Sequence, residues 1–516
     1  MEFNLTFNST KMKKKLIIVF FMGGLVTLSS CSDNLEFGNP NKLTTESFWQ
    51  TPADLESGLA TVYNTLVDNN NAGYWEIQAM QLKENRTENF IARNDVPGRF
   101  AVATYKNSPS TAETTGMFKA MYIGIFRANQ VINYAPQIKN IDETKRAQLV
   151  AEASFLRGLN YFNLVIEFGS VPIFTDLVKA PSDYFKEKST EEQVWSQVIA
   201  DFKLAATSPL PEIYPAALKG RVTKNTAIAY LGKAYLYRKE WAKAEEQFAK
   251  LVNNEGTNGY GLLDDYAQLF DGKHENSKES VFEIQFSRVG GATIWGGEPS
   301  QRTRATTMAQ ECAPGEVGGW FELLPSKTLL NAMTKEKTVD GDFDPRATAT
   351  LAWNYPGSVY YNADFATKFG ANAIWIRKNQ NWWNNNEGDW RSELNEYAMR
   401  YADVLLMLAE AQTMQGKVAS AASLVKRIRD RAKLTSIVMT GWTQTQMMDE
   451  IMHQRNVEFA REGLHWYDLR RWGTLEKVIR ESLREGYNNY SAKYNYFPIP
   501  ESELNNNPKM TQNTNW

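Results

Sequence analysis

The stretch TAIAYLGKAYLYRKEWAKAEEQFAKLV, Thr226 to Val252, restricts the folds open to this chain more than any other feature. Leu231, Tyr235 and Phe248 supply bulk while Gly232 and Ala244 supply room, at the spacing of two short antiparallel helices. Such a pair has an apolar face that it cannot cover alone, so further helix pairs must stack on it. The prediction is a mainly α protein built as a superhelix of helix pairs.

This is the tetratricopeptide pattern, with Ile228 where a tryptophan is usual, and Tyr401 to Ala432 repeats it loosely with Ala409 in the glycine's place. Other blocks offer partners. In TPADLESGLATVYNTLVD, Thr51 is placed as an N-cap with Pro52 at the first helical position. Helical periodicity resumes from Thr115 and again through ETKRAQLVAEASFLRGLNYFNLVIEFG, until Gly169 and Pro172 stop it. Ser189 and Glu192 stand at capping-box spacing before the next block.

Between Gly290 and Arg391 the texture changes. Glycine, asparagine and proline multiply, and seven of the 15 tryptophans fall there, which marks a loop-rich insertion with short strands. An indole face stacks on the C–H face of a sugar ring while asparagine and aspartate bind its hydroxyls, so this region is a candidate carbohydrate surface. Trp382 and Trp383, flanked by asparagines, are the better platforms. Trp375, inside the alternation of AIWIRK, reads as core.

Catalytic chemistry has little to stand on. The three histidines lie in no HExxH or GxSxG frame, and His465 reads as structural. Carboxylate pairs for glycoside hydrolysis depend on a spatial separation that sequence does not give. Asp340, Asp342 and Asp344 begin like a calcium loop, but Pro345 replaces the turn glycine and no closing glutamate follows, so they read as a polar turn. No cofactor or metal site is predicted. A net charge of -2, from 57 basic and 59 acidic residues, argues against nucleic acid as a partner.

Of the two cysteines, Cys31 follows a basic KMKKK and the apolar run Leu16 to Leu28. The run is shorter than the roughly 20 residues a membrane-spanning helix needs and matches an export signal, with Met12 a plausible true start. LSSC then fits a lipobox, in which the Cys31 thiol is acylated and becomes the first residue of the mature chain. The predicted divisions are a signal over 1–30, a polar tether over 31–43, helical parts over 44–289 and 396–516, and the insertion over 290–395.

Several segments in order are similar to the SusD/RagB family of outer-membrane nutrient-binding lipoproteins. They are LVAEASFLRGLNYFNLVIEFGSVPIF from Leu149, RYADVLLMLAEA from Arg400, VKRIRDRAKL from Val425, QRNVEFAREGLHWYDLRRWG from Gln454 and YFPIPESELNNNPKMTQN from Tyr496. His465 departs from the family's usual arginine, and HQRN from its usual paired charges. The charged residues Arg455, Glu458, Glu462, Asp468, Arg470 and Arg471, with Arg157, are expected to form ion pairs between helices.

The resemblance implies four tetratricopeptide-like units around a variable ligand-binding region. It also implies a SusC-like TonB-dependent transporter as partner, a lipid anchor in the outer membrane and a non-enzymatic role in which the protein captures a glycan and acts as a lid. Residues in the comparable regions are Trp75, Asn94 and Arg99 early, and Trp295, Trp320, Trp353 and Trp382 late. A peptide-capturing member of the family and a glycoside hydrolase on a helical scaffold are the alternative readings.

Overall fold

Thr51 opens the first helix, α1 (Pro52–Asn64), by accepting from the Asp54 amide at 3.2 Å while the Asp54 carboxylate accepts from the Thr51 amide at 2.7 Å. The computed structural model describes residues 48–67, 74–75, 77–290, 303–383 and 391–516. Cys31, the tether and Trp295 therefore lie outside the described residues. By its contacts the chain divides into residues 1–50 and 51–516, and the helical scaffold belongs to the second unit.

Five further helices build the N-terminal half of the scaffold: α2 (Ala112–Tyr134), α3 (Glu143–Phe168), α4 (Glu191–Thr207), α5 (Lys224–Tyr237) and α6 (Trp241–Val252). Asp142 caps α3 at the Lys145 amide, 2.9 Å away, and Gly169 ends it with φ of 72°. The capping box of α4 lies one residue later than the sequence suggests: Thr190 and Gln193 form it, in place of Ser189 and Glu192. The Ser189 amide is already committed to the Val171 carbonyl at 3.0 Å, so the helix starts after it.

Each of these helices packs on the one before it, and α6 packs on α7 (Tyr401–Met414) although residues 253–400 lie between them. Next, α8 (Val418–Arg431) and α9 (Gln444–Glu458) pack on α7. The two pairs predicted from sequence, α5 with α6 and α7 with α8, are thus neighbours in one continuous helical ladder. Gly232 permits the α5 to α6 approach, since a Cβ there would lie 2.7 Å from the Phe248 ring. Gly158 plays the same part between α3 and α4, against the Asp201 Cβ at 2.8 Å.

Strands are short and occur in two-stranded sheets. Strand β1 (Phe90–Ala92) pairs antiparallel with β3 (Leu323–Pro325), which brings an early segment against the later loop-rich part. Strand β4 (Leu351–Trp353) pairs with β5 (Ile374–Ile376), so that Ala352 faces Trp375 across the ladder. Near the ends of the 253–400 segment, β2 (Ser280–Ile284) pairs with β6 (Glu396–Arg400) and returns the chain to α7.

Buried ion pairs join the helices as the charge pattern predicts. Glu458 accepts from Arg346 at 3.3 Å, Arg400 at 3.0 Å and also Arg431, all of them buried. Arg455 bridges Asp403 and Asp468 at 2.7 Å each, Arg471 reaches Glu410 and Asp468, and Arg157 holds Asp201. Arg470 departs from the expectation: it donates to the Asn495 carbonyl and covers the Tyr496 ring at 4.6 Å. His465 is structural, its Nε2 lying 2.8 Å from Glu88. Burial disfavours its charged form, but the Glu88 carboxylate outweighs this and raises the imidazole pKa.

Candidate ligand-binding site

The β1 to β3 pairing carries the turn after Ala92 onto residues 320–322. There Arg93 spreads its guanidinium over the Phe321 ring at 4.2 Å, donates to the Trp320 carbonyl and is held by Asp95 at 2.8 Å. Asn94 lies next to it, exposed in the turn. Phe321, at φ of 42°, meets the edge of Trp375 with ring centroids 6.4 Å apart. An early loop and the later region thus share one aromatic surface.

Trp375 and Trp382 both rest, half-buried, on a core cluster that includes Ala313, Tyr360, Phe365 and Phe369. Trp382 meets Trp383 edge-on at 6.1 Å, and Trp383 is 40% exposed. Beneath this pair, Arg377 lies 3.9 Å over the Trp382 ring, and burial lowers the pKa of its guanidinium. An exposed indole beside a polar edge is the arrangement that stacks on an apolar ring face while binding the hydroxyls around it.

The predicted site residues separate. Trp320, Trp382 and Asn94 belong to or border this surface. Trp353 does not: it is 7% exposed in a core with Phe343 and Tyr355, at 5.2 and 4.8 Å, because β4 faces inward. Trp75 is also buried, edge-on to Tyr74 and covered by the Lys83 ammonium at 4.3 Å. Arg99 is 11% exposed at its side chain, and its Nη1 donates to Gln81 and Glu311 at 2.9 Å each and to Glu322. Burial pushes Glu311 up to about 8, against the Arg99 guanidinium, which lowers it, and with the Glu322 carboxylate, which raises it.

Sequence reasoning missed Arg93, Phe321 and Arg377. The last had a signal, a cation five residues before a Trp–Trp pair, while Phe321 and Arg93 had none because their partners are remote in sequence.

A groove of about 350 Å³ lies elsewhere, lined by Phe118, Tyr122, Phe126, Phe174 and Met510. It shares no residue with the aromatic surface. Among the described residues, no group of histidine, cysteine, aspartate and glutamate side chains is arranged to hold a metal ion. Asp344 of the predicted polar turn caps the helix at Pro345–Thr350 and pairs with Arg346 at 2.7 Å.

A sequence profile described as the SusD family matches residues 237–516, more than half of the chain. The chain belongs to the SusD family. A second profile, described as starch-binding associating with outer membrane, matches residues 33–236. The SusD-like protein P2 of Formosa agariphila is 30% identical over 517 positions, covering 97% of this chain and 99% of that one. A SusD superfamily protein from Bacteroides vulgatus superposes with a TM-score of 0.83 at 33% identity, over 91% of this chain and all of the other. A laminarin-binding SusD-like protein has a TM-score of 0.72 at 24% identity, over 90% of this chain, and shares the SusD fold. The mainly α architecture expected from the periodicity of the chain is therefore that of the SusD family.

Proposed function

We propose that this SusD-family protein is a cell-surface lipoprotein that captures an oligosaccharide or polysaccharide without chemically altering it. The observation that carries this is the exposed Trp383, set edge-on to Trp382 on a surface shared by the early turn and the later loops. The starch-binding profile and the laminarin-binding relative support the same ligand class. Covering an indole face with a sugar ring removes apolar surface from water, at roughly 25 cal/mol per Å². Several such contacts make a useful surface trap.

In this reading the captured glycan is delivered to a SusC-like TonB-dependent transporter in the outer membrane, over which the protein acts as a lid. Among the described residues no helix is long and apolar enough to cross a membrane. Attachment is assigned to acyl chains on Cys31.

The test is affinity electrophoresis and calorimetry with protein lacking residues 1–31, across a broad polysaccharide panel. Retention by at least one polymer, weakened in Trp383→Ala and without release of new reducing ends, is the expected result. No binding across the panel would overturn the glycan reading and favour peptide capture, and new reducing ends would favour a hydrolase.

A further inference from the structure

Arginine side chains withdrawn from water in this protein are, as a rule, met by a carboxylate. Arg86 has Glu167 at 3.0 Å, Arg346 has Asp344 at 2.7 Å, Arg455 has Asp403 at 2.7 Å and Arg461 has Glu396 at 2.6 Å. Arg377 breaks the pattern. Its side chain has neither a carboxylate partner nor a hydrogen bond among the described residues, and its guanidinium rests on the Trp382 ring with the phenols of Tyr355 and Tyr360 near it.

Arg377 is half-buried where those four are buried, so it keeps only part of its hydration and gains from a partner that completes it. Taking a guanidinium partly out of water is unfavourable, and a cation–π contact returns only about 0.5–2 kcal/mol. The indole, 3.9 Å away, also fixes where the guanidinium sits. With no hydrogen bond to protein among the described residues, its N–H groups are available, and the guanidinium fork matches two oxygens of an oxyanion. Lys368, whose ammonium lies 5.5 Å from the Phe369 ring of the same aromatic cluster, is a second cation without a carboxylate partner among the described residues.

We infer that Arg377 receives an oxyanion of the ligand, so that the glycan preferred by this protein is anionic, bearing uronate carboxylates or ester sulfates. The inference rests on the glycan-capture reading and narrows it. Trp383 supplies the ring contact and Arg377 selects charge. A neutral polymer would leave the guanidinium as it stands, with no oxyanion to repay its desolvation.

The experiment compares dextran with carboxymethyl-dextran and dextran sulfate, and polygalacturonate with its carboxyl-reduced form, by affinity electrophoresis and calorimetry. Wild type, Arg377→Gln and Arg377→Lys are measured at low and at physiological salt. The expected result is preferential binding of at least one charged polymer over its neutral counterpart, weakened about tenfold or more in R377Q and partly restored in R377K. The carboxylated and sulfated arms distinguish the two sources of the oxyanion. Melting temperatures identify any variant that fails to fold, and R377K then carries the comparison.

Neutral polymers bound as tightly as their charged counterparts would overturn the inference while leaving glycan capture intact. So would R377Q losing charged and neutral ligands equally, since that marks a structural role. Absence of binding to any polymer would instead sink the capture reading on which this rests.

Discussion

Glu458 shows what a single side chain does in this scaffold. Burial alone would raise its pKa, but Arg431, Arg400 and Arg346 around it hold the carboxylate well below the usual range. Glu458→Gln keeps the shape but leaves the buried cluster of Arg346, Arg400 and Arg431, still paired with Asp344, Glu279 and Glu462, one negative charge short, so urea unfolding should show a loss of about 3–5 kcal/mol. Asp403 gives the matching pH dependence. Against the effect of burial, Lys233 at 3.1 Å and Arg455 at 2.7 Å hold it at about 2, below the ordinary aspartate value of 3.8. A depressed carboxylate stabilises the fold above its unfolded pKa and loses that contribution as pH falls through the folded value. Stability should therefore drop by on the order of 2 kcal/mol between pH 4 and 2, and Asp403→Asn should flatten that part of the profile in denaturation measured against pH. Two tryptophans separate core from site: Trp353→Ala should cost about 3–5 kcal/mol in stability, whereas Trp383→Ala should leave the melting temperature near wild type and weaken ligand retention. Sequence marks Trp383 by its flanking asparagines but does not show that Trp353 lies in the core. Trp353 is buried because β5 and Phe343 cover it, and Trp383 is exposed because it follows a turn off the same sheet.

At the scale of elements, what is local was legible and what is remote was not. The helices follow from apolar spacing and from caps that lie within four residues of them, such as Thr51 with Asp54 and Asp142 with the Lys145 amide. Even the displaced cap of α4 is a shift of one residue, caused by a tie from Ser189 to Val171. The pairing of Phe90 with Pro325 lies outside such reasoning, because strands three residues long carry too little periodicity to declare a partner. The candidate surface depends on that pairing, which is why Arg93 and Phe321 went unread while the Trp382 and Trp383 pair, contiguous in sequence, was found. Glycine at a helix crossing is the exception that sequence does reveal. Gly232→Ala forces the α5 to α6 contact open against a fully buried Phe248 ring, and thermal or urea melts should register a loss of about 1–3 kcal/mol. Ala409, which takes the glycine's place in the second pair by sequence, is fully buried.

For the whole molecule, the acylated Cys31 and the ligand surface are proposed as independent functions on one chain. Cys31→Ala should move the protein from the membrane to the soluble fraction after cell lysis while calorimetry on the purified protein returns an unchanged affinity; a parallel loss of affinity would count against a simple tether. The route of the chain through the ladder also sets a timetable for folding. Helices α2 to α6 meet their neighbours within a short stretch of sequence and can assemble quickly. The side of α6 that α7 covers must wait for some 150 further residues, and closing a loop of that length costs roughly 4 kcal/mol of chain entropy before the contact returns anything. A chain emerging from its N-terminus therefore passes through a stage in which half the ladder is formed and its end is bare. Such an end is sticky, and the interval before residues 401–414 arrive is when two newly made copies are most exposed to pairing with each other instead of with themselves.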